Sequence, residues 1–204
     1  MADDIDKALL NDLMQLLSYN LEDVEENAEQ GDAGAQNILG MMYYNGQNVK
    51  QDYSKAREWF EKAAAQGVAP AQISLGNMYY YGNGIKQDYN KAREWYEKAA
   101  AWGLFEPLNN LGEMYYSGKG VEQDYAKAKE WYEKAAEQGF TQAQYSLGVM
   151  YHNGQGVRQD YVKAKEWYKL ACDNGYQLGC DKYKELDKSG DGKHSFFDFL
   201  KKKK

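Results

Sequence analysis

Near the C-terminus, Asp187, Ser189, Asp191, Ser195 and Asp198 place side-chain oxygens at positions 1, 3, 5, 9 and 12 of one short segment. Gly192 stands at position 6 and the backbone carbonyl of Lys193 at position 7. Oxygens converging around a tight turn are what a hard divalent cation requires, which makes these residues a candidate Ca2+ site. The other reactive side chains are few. Cys172 and Cys180 are the only cysteines, and His152 and His194 the only histidines. A turn at Gly175 can bring the two cysteines within bridging distance, and the alternative is a pair of reduced thiols serving as small core residues. No nucleophile–base set, zinc-ligand spacing or phosphate loop is present, so an enzyme is not expected.

The chain around these residues repeats. QDYSKAREWFEKAAAQG begins at Gln51 and returns from Gln87, Gln123 and Gln159 at a step of 36 residues without insertion or deletion. Trp59, Trp95, Trp131 and Trp167 keep that step, as do Gly67, Gly103, Gly139 and Gly175. A period between 20 and 50 residues marks stacked supersecondary units. Each copy reads as helix A, a loop with two glycines, helix B and a glycine stop. Asp52, Asp88, Asp124 and Asp160 stand at N-cap positions. Helix B presents Ala56, Trp59 or Phe60, and Ala63 to the core, with Arg57–Glu61 and Glu58–Lys62 pairs outside. Helix A carries Gly40, Gly76, Gly112 and Gly148 in mid-helix, where glycine costs about 1 kcal/mol, which implies a close approach that excludes a Cβ.

The chain divides into a degenerate leading repeat over 1–31, four repeats over 32–67, 68–103, 104–139 and 140–175, a capping helix over 176–186, and a loop with a basic tail over 187–204. In the leading part, Ile5, Leu9, Leu13, Leu16 and Leu17 share a helical face, and Asn20 caps a second helix over 21–30 that ends at Gly31.

Charge narrows the partners. The formal net charge is −6. Apart from the last four lysines there is no basic stripe to replace phosphate counterions, so a nucleic-acid partner is not expected. No apolar run approaches the ~20 residues of a membrane span. The first residues lack the basic-then-apolar order of a signal peptide, so the expected compartment is the cytoplasm.

The pattern A-Q-x-x-L-G-x-M-Y-x-x-G-x-G-V-x-Q-D-Y-x-K-A-x-E-W-Y-x-K-A-A-x-Q-G resembles the Sel-one-like repeat family, a relative of the tetratricopeptide repeat. The resemblance implies an all-α, right-handed α/α solenoid of antiparallel helix pairs, and a scaffold or adaptor role with a protein or peptide partner. ACDNGYQLGC is similar to the Cys-x7-Cys bridges of a secreted, cysteine-rich branch of that family. A Cys172–Cys180 bridge would imply a periplasmic or secreted protein whose signal had been removed. The segment from Asp187 to Asp198 resembles an EF-hand calcium loop, with Asp198 in place of the usual bidentate Glu.

Internal comparison points to a binding surface. Residues constant across the four copies are explained by stacking, so the informative positions are those that differ. In helix A these are Asn37/Ile73/Asn109/Tyr145, Met41/Asn77/Glu113/Val149 and Tyr44/Tyr80/Tyr116/His152, which form one stripe per helix. By resemblance to tetratricopeptide repeats this stripe lines the concave groove, with Tyr44, Tyr80 and Tyr116 equally readable as core. Trp102 stands where the other copies have Gln66, Gln138 and Asn174, either as an anchor or as a lone exposed ring. Two other functions fit the same residues: an inhibitory or immunity-type module that blocks one toxin or enzyme, and a calcium-responsive regulator. The oligomeric state is left open.

Overall fold

The computed structural model describes residues 20–189, with Ser189 described in its backbone alone. The described residues form ten α-helices and no strand. They fall into two compact units, the chain passing from one to the other between Pro107 and Leu108. The first contains α1 (Leu21–Glu29), α2 (Ala33–Asn45), α3 (Tyr53–Ala65), α4 (Ala69–Tyr81), α5 (Tyr89–Ala100) and the start of α6 (Phe105–Ser117). The second contains the rest of α6, then α7 (Tyr125–Glu137), α8 (Thr141–Asn153), α9 (Tyr161–Asp173) and α10 (Gln177–Ser189). The expected helical face from Ile5 to Leu17 lies outside the described residues.

The helices keep the period of the sequence. Those of the A type begin at residues 33, 69, 105, 141 and 177, and those of the B type at 53, 89, 125 and 161. Helix B starts where it does because an aspartate accepts the orphan backbone N–H groups of its first turn. Asp52 Oδ1 accepts from Lys55 N at 3.1 Å, and Asp124 and Asp160 accept from Lys127 N and Lys163 N at 3.0 Å each. The preceding glutamine ties the loop down, since Gln51, Gln87, Gln123 and Gln159 each donate through Nε2 to the carbonyl of Tyr44, Tyr80, Tyr116 or His152. Helix A stops at glycines in the left-handed region, such as Gly46 at φ 71° and Gly154 at φ 70°. Asn48 takes the second such position of the first loop at φ 58°.

The mid-helix glycines do exclude a Cβ. On Gly40 it would stand 2.6 Å from Phe60 Cδ1, on Gly112 2.7 Å from Tyr132 Cδ1, and on Gly148 2.5 Å from Tyr168 Cδ1. Phe60, Tyr96, Tyr132 and Tyr168 are thus buried flat against helix A, together with leucine–methionine pairs such as Leu39/Met42 and Leu147/Met150. Phe60 rather than Trp59 is the buried ring of α3. Trp59 lies half-buried with Lys62 Nζ 3.7 Å above it, so this lysine stacks on an aromatic face where an ion pair with Glu58 was expected.

Within each unit a glutamine relay joins successive turns. Gln36, Gln72 and Gln144 are buried and donate to the carbonyls of Ala28, Ala64 and Ala136, each eight residues earlier. A turn amide then donates onto the relay: Gln66 Nε2 to Gln36 Oε1 at 2.9 Å, and Asn174 Nδ2 to Gln144 Oε1 at 3.0 Å. The corresponding residue for Gln72 is Trp102, which has no amide, and Gln72 Oε1 is buried without a partner among the described residues. Where the next relay glutamine would fall, the chain has Cys180, bonded to Cys172 eight residues earlier. A covalent bond therefore stands at the relay's last position in the described residues.

Candidate functional site

The stripe on helix A can now be placed residue by residue. In the first unit, Asn37 Nδ2 reaches Met41 Sδ at 3.7 Å, and Asn37 Oδ1 is buried with no partner among the described residues. Tyr44 is half-buried, edge-on to Tyr53 at 5.2 Å, and its hydroxyl accepts from Asn83 Nδ2 at 2.6 Å. On α4, Ile73 and Tyr80 are 8% and 7% exposed. These two stripe positions face packing and leave contact with a partner to their neighbours. Asn77 holds structure together, because its Oδ1 accepts from the buried Tyr96 hydroxyl at 2.6 Å. It also hydrogen-bonds Glu106, whose carboxyl is held above the usual range by burial, an effect the Asn77 bond partly offsets.

In the second unit, Glu113 is exposed and Asn109 half-buried, the latter with Oδ1 unpartnered among the described residues. Tyr116 lies edge-on to Tyr125 at 5.3 Å and donates to Gln155 Oε1 at 2.7 Å. Tyr145 meets the rings of Tyr168 and Tyr176 at 5.5 and 5.4 Å. Val149 is half-buried, and His152 lies edge-on to Tyr161 at 5.2 Å with Nδ1 buried and unpartnered among the described residues. The third stripe column therefore rests in every copy on the aromatic residue that opens helix B. That residue was legible only as the tyrosine of a recurring Asp-Tyr pair.

Two further sites carry expectations from the sequence. Asp187 and Ser189 lie in the last turn of α10, and Asp187 Oδ1 accepts from Lys165 Nζ at 2.6 Å. Asp191, Lys193, Ser195 and Asp198 lie outside the described residues. Helix α10 spans residues 177–189, a step of 36 after the 141–153 of α8. In sequence, Gly190 and Gly192 therefore stand where Gly154 and Gly156 close the preceding loop. Among the described residues no group of three His, Cys, Asp or Glu could hold a metal ion. The cysteines are joined as Cys172–Cys180, with Cα atoms 4.5 Å apart, and tie the end of α9 to the first turn of α10. Trp102 is 62% exposed, with Leu104 and Phe105 at 36% and 44% beside it in sequence. Among the described residues no helix is long and apolar enough to cross a membrane.

The Sel1 repeat profile matches four stretches, residues 33–68, 69–103, 108–140 and 141–176. No curated protein matches the chain. Among solved structures, a protective antigen present in uropathogenic Escherichia coli strains and displaying an SLR fold is 42% identical, with a TM-score of 0.83 over 86% of this chain. A Sel1 repeat protein from Oxalobacter formigenes is 33% identical, with a TM-score of 0.76 over 79% of this chain. Cysteine rich protein B of Helicobacter pylori is 26% identical, with a TM-score of 0.51 over 67% of this chain and 98% of its own. This chain spans only 38% of the Escherichia coli antigen and 66% of the Oxalobacter protein. The fold class is accordingly the all-α solenoid class of antiparallel helix pairs, and the chain belongs to the Sel1 repeat family.

Proposed function

We propose that this protein is a non-catalytic scaffold that binds a protein or peptide through the helix A faces of its repeats. The observation that carries this is the contrast between columns. The packing positions of helix A repeat from copy to copy, whereas Met41/Asn77/Glu113/Val149 vary between apolar, amide and carboxylate chemistry on one face. Variation concentrated on one face of an otherwise uniform repeat suits recognition of an irregular partner, and a stacked array presents such columns side by side. Exposed Glu113 and half-buried Met41, Asn37 and Tyr116 supply polar and aromatic contacts of the kind interfaces use. The experiment is affinity capture from a native lysate with the intact protein and with a Met41→Arg/Glu113→Arg variant. Partners retained equally by both would remove the helix A faces from the site.

The Cys172–Cys180 bridge supports an oxidising compartment, against the cytoplasmic expectation drawn from the first residues. Maleimide labelling of the unfolded native protein checks this. Two free thiols would return the protein to a reducing compartment.

A further inference from the structure

One step of 36 before α3, α1 occupies the place of helix B in the leading repeat, and its departures from the later B helices gather at one spot. Asp23 falls in the column of Trp59, Trp95, Trp131 and Trp167, and Glu26 in that of Lys62, Lys98 and Lys134. In α3 the lysine of this pair lies over the tryptophan ring. Helix α1 thus has two carboxylates where later copies hold an aromatic ring and the cation stacked on it. The turn that follows departs as well. Asp32 stands where the later copies have Val68, Leu104, Phe140 and Tyr176, and Gly34 where they have Pro70, Glu106, Gln142 and Leu178.

Between α1 and the first turns of α2 lies a cavity of about 520 Å³. Buried Val24 and Ala35 and half-buried Ile38 line it from within, and exposed Asp23, Asn27 and Asp32 line its mouth. Asp32 Oδ1 accepts from Ala35 N at 2.7 Å, which meets the positive end of α2 and leaves Oδ2 over. Asn27 stands in the last turn of α1, at the negative end of that helix, and this turn has no basic residue. From residue 20 to residue 49 the carboxylates are Glu22, Asp23, Glu25, Glu26, Glu29 and Asp32, with no lysine or arginine among them. None of these carboxylates is ion-paired among the described residues.

We propose that this cavity receives an arginine side chain of a protein partner, its guanidinium held by Asp23 and Asp32 and its methylene stem laid on Val24 and Ile38. The argument is charge complementarity in a space that apolar side chains fill in the other copies. A guanidinium is planar and weakly hydrated, so it can bridge carboxylates from two helices while its stem covers apolar surface. A volume of this order takes a drug-sized ligand, so the peptide backbone carrying the arginine enters with it. This contact goes beyond the scaffold function above and does not use the varying column of helix A.

The probe is acetyl-Gly-Arg-Gly-amide, titrated into the 15N-labelled full chain at low salt to about 50 mM, because an ion pair open to solvent is weak. Amide shifts should saturate and concentrate in residues 20–38. The peptide with citrulline, a neutral isostere of arginine, should give none, and the peptide with lysine should bind several-fold more weakly. Asp23→Asn should weaken binding about tenfold. Ile38→Lys, which installs the residue found at Lys182, should abolish it by supplying a cation from within the chain. Glu29→Gln, on α1 but outside the cavity, makes the same change in net charge and should bind as wild type does. The spectrum of each variant reports whether it is folded. Met41→Arg/Glu113→Arg should keep the arginine site, so the cavity and the helix A faces can fail separately. Equal shifts with citrulline, or binding unchanged in Asp23→Asn and Ile38→Lys, overturn the site. No shift at all overturns it too and makes these carboxylates a solvated end of the repeat array. Tighter binding of free arginine than of the peptide overturns the protein partner, and self-association that Asp23→Asn abolishes gives the cavity to a second copy instead.

Discussion

Replacing Gly112 by alanine sets two effects of opposite sign against each other. Intrinsic propensity favours alanine in mid-helix by about 1 kcal/mol. The added methyl, however, would stand 2.7 Å from both Cδ1 and Cε1 of Tyr132, whose side chain is 4% exposed. Carbon atoms prefer about 3.5–4.0 Å, so the ring or the helix must move by close to an ångström within a packed layer. The ring has little room to retreat, since it is buried and packs beside Tyr116 at 6.5 Å in the same layer. Overpacking of this kind costs roughly 1–3 kcal/mol, and two ring carbons at once place it in the upper part of that range. Gly112→Ala should therefore be net destabilising by about 1–2 kcal/mol, a fall in Tm of about 2–8 °C for a chain of this size. Denaturant titration followed by circular dichroism reads the change. Tyr132→Leu, which opens the space, should rescue part of it, with a coupling above about 0.5 kcal/mol in the double-mutant cycle. A more stable Gly112→Ala protein, or zero coupling, would refute the claim that this glycine exists to admit a ring.

The remaining predictions concern the relay, the bridge, one carboxyl and the C-terminal oxygens. Trp102→Gln should stabilise the fold by about 1 kcal/mol, because a turn amide would satisfy Gln72 Oε1 while little packing is lost; an unchanged or lower Tm would remove the relay argument. Reducing Cys172–Cys180 should cost about 2–3 kcal/mol by freeing a short loop in the unfolded chain, read as a lower midpoint with dithiothreitol, and Cys172→Ser/Cys180→Ser should then be insensitive to it. Glu106 has a folded pKa above its unfolded one, so the folded state binds the extra proton and stability falls as pH rises between those two values. Glu106→Gln should accordingly be more stable than wild type at neutral pH, with the advantage vanishing below the unfolded pKa in a Tm-versus-pH series. Calcium at millimolar concentration should leave Tm unchanged and give no calorimetric heat, since Asp187 lies in the last turn of α10 and is paired with Lys165; a saturable heat would establish the cation site.

Much of this protein is decided by local chemistry repeated at a fixed step. The Asp caps, the glycine stops and the close approach at Gly40, Gly112 and Gly148 each depend on residues a few positions apart or on one recurring contact, so a single sequence displays them. Of the EF-hand-like spacing only Asp187 and Ser189 fall among the described residues, in the last turn of a helix, so the cation reading rests on the sequence pattern. What sequence could not decide is which polar groups are already spent. Asn77, Glu113 and Val149 look equivalent as surface residues of one column, yet Asn77 is consumed by Tyr96, whereas Val149 has no acceptor to offer Tyr168. Ile73 and Tyr80 sit on the stripe by spacing and are buried by their neighbours. The relay from Gln66 to Gln36 crosses 30 residues, and the bridge at Cys180 takes a place that only the relay defines. Helical periodicity settles which face a residue occupies. Whether its hydrogen bonds are satisfied depends on partners that tertiary packing alone brings into reach.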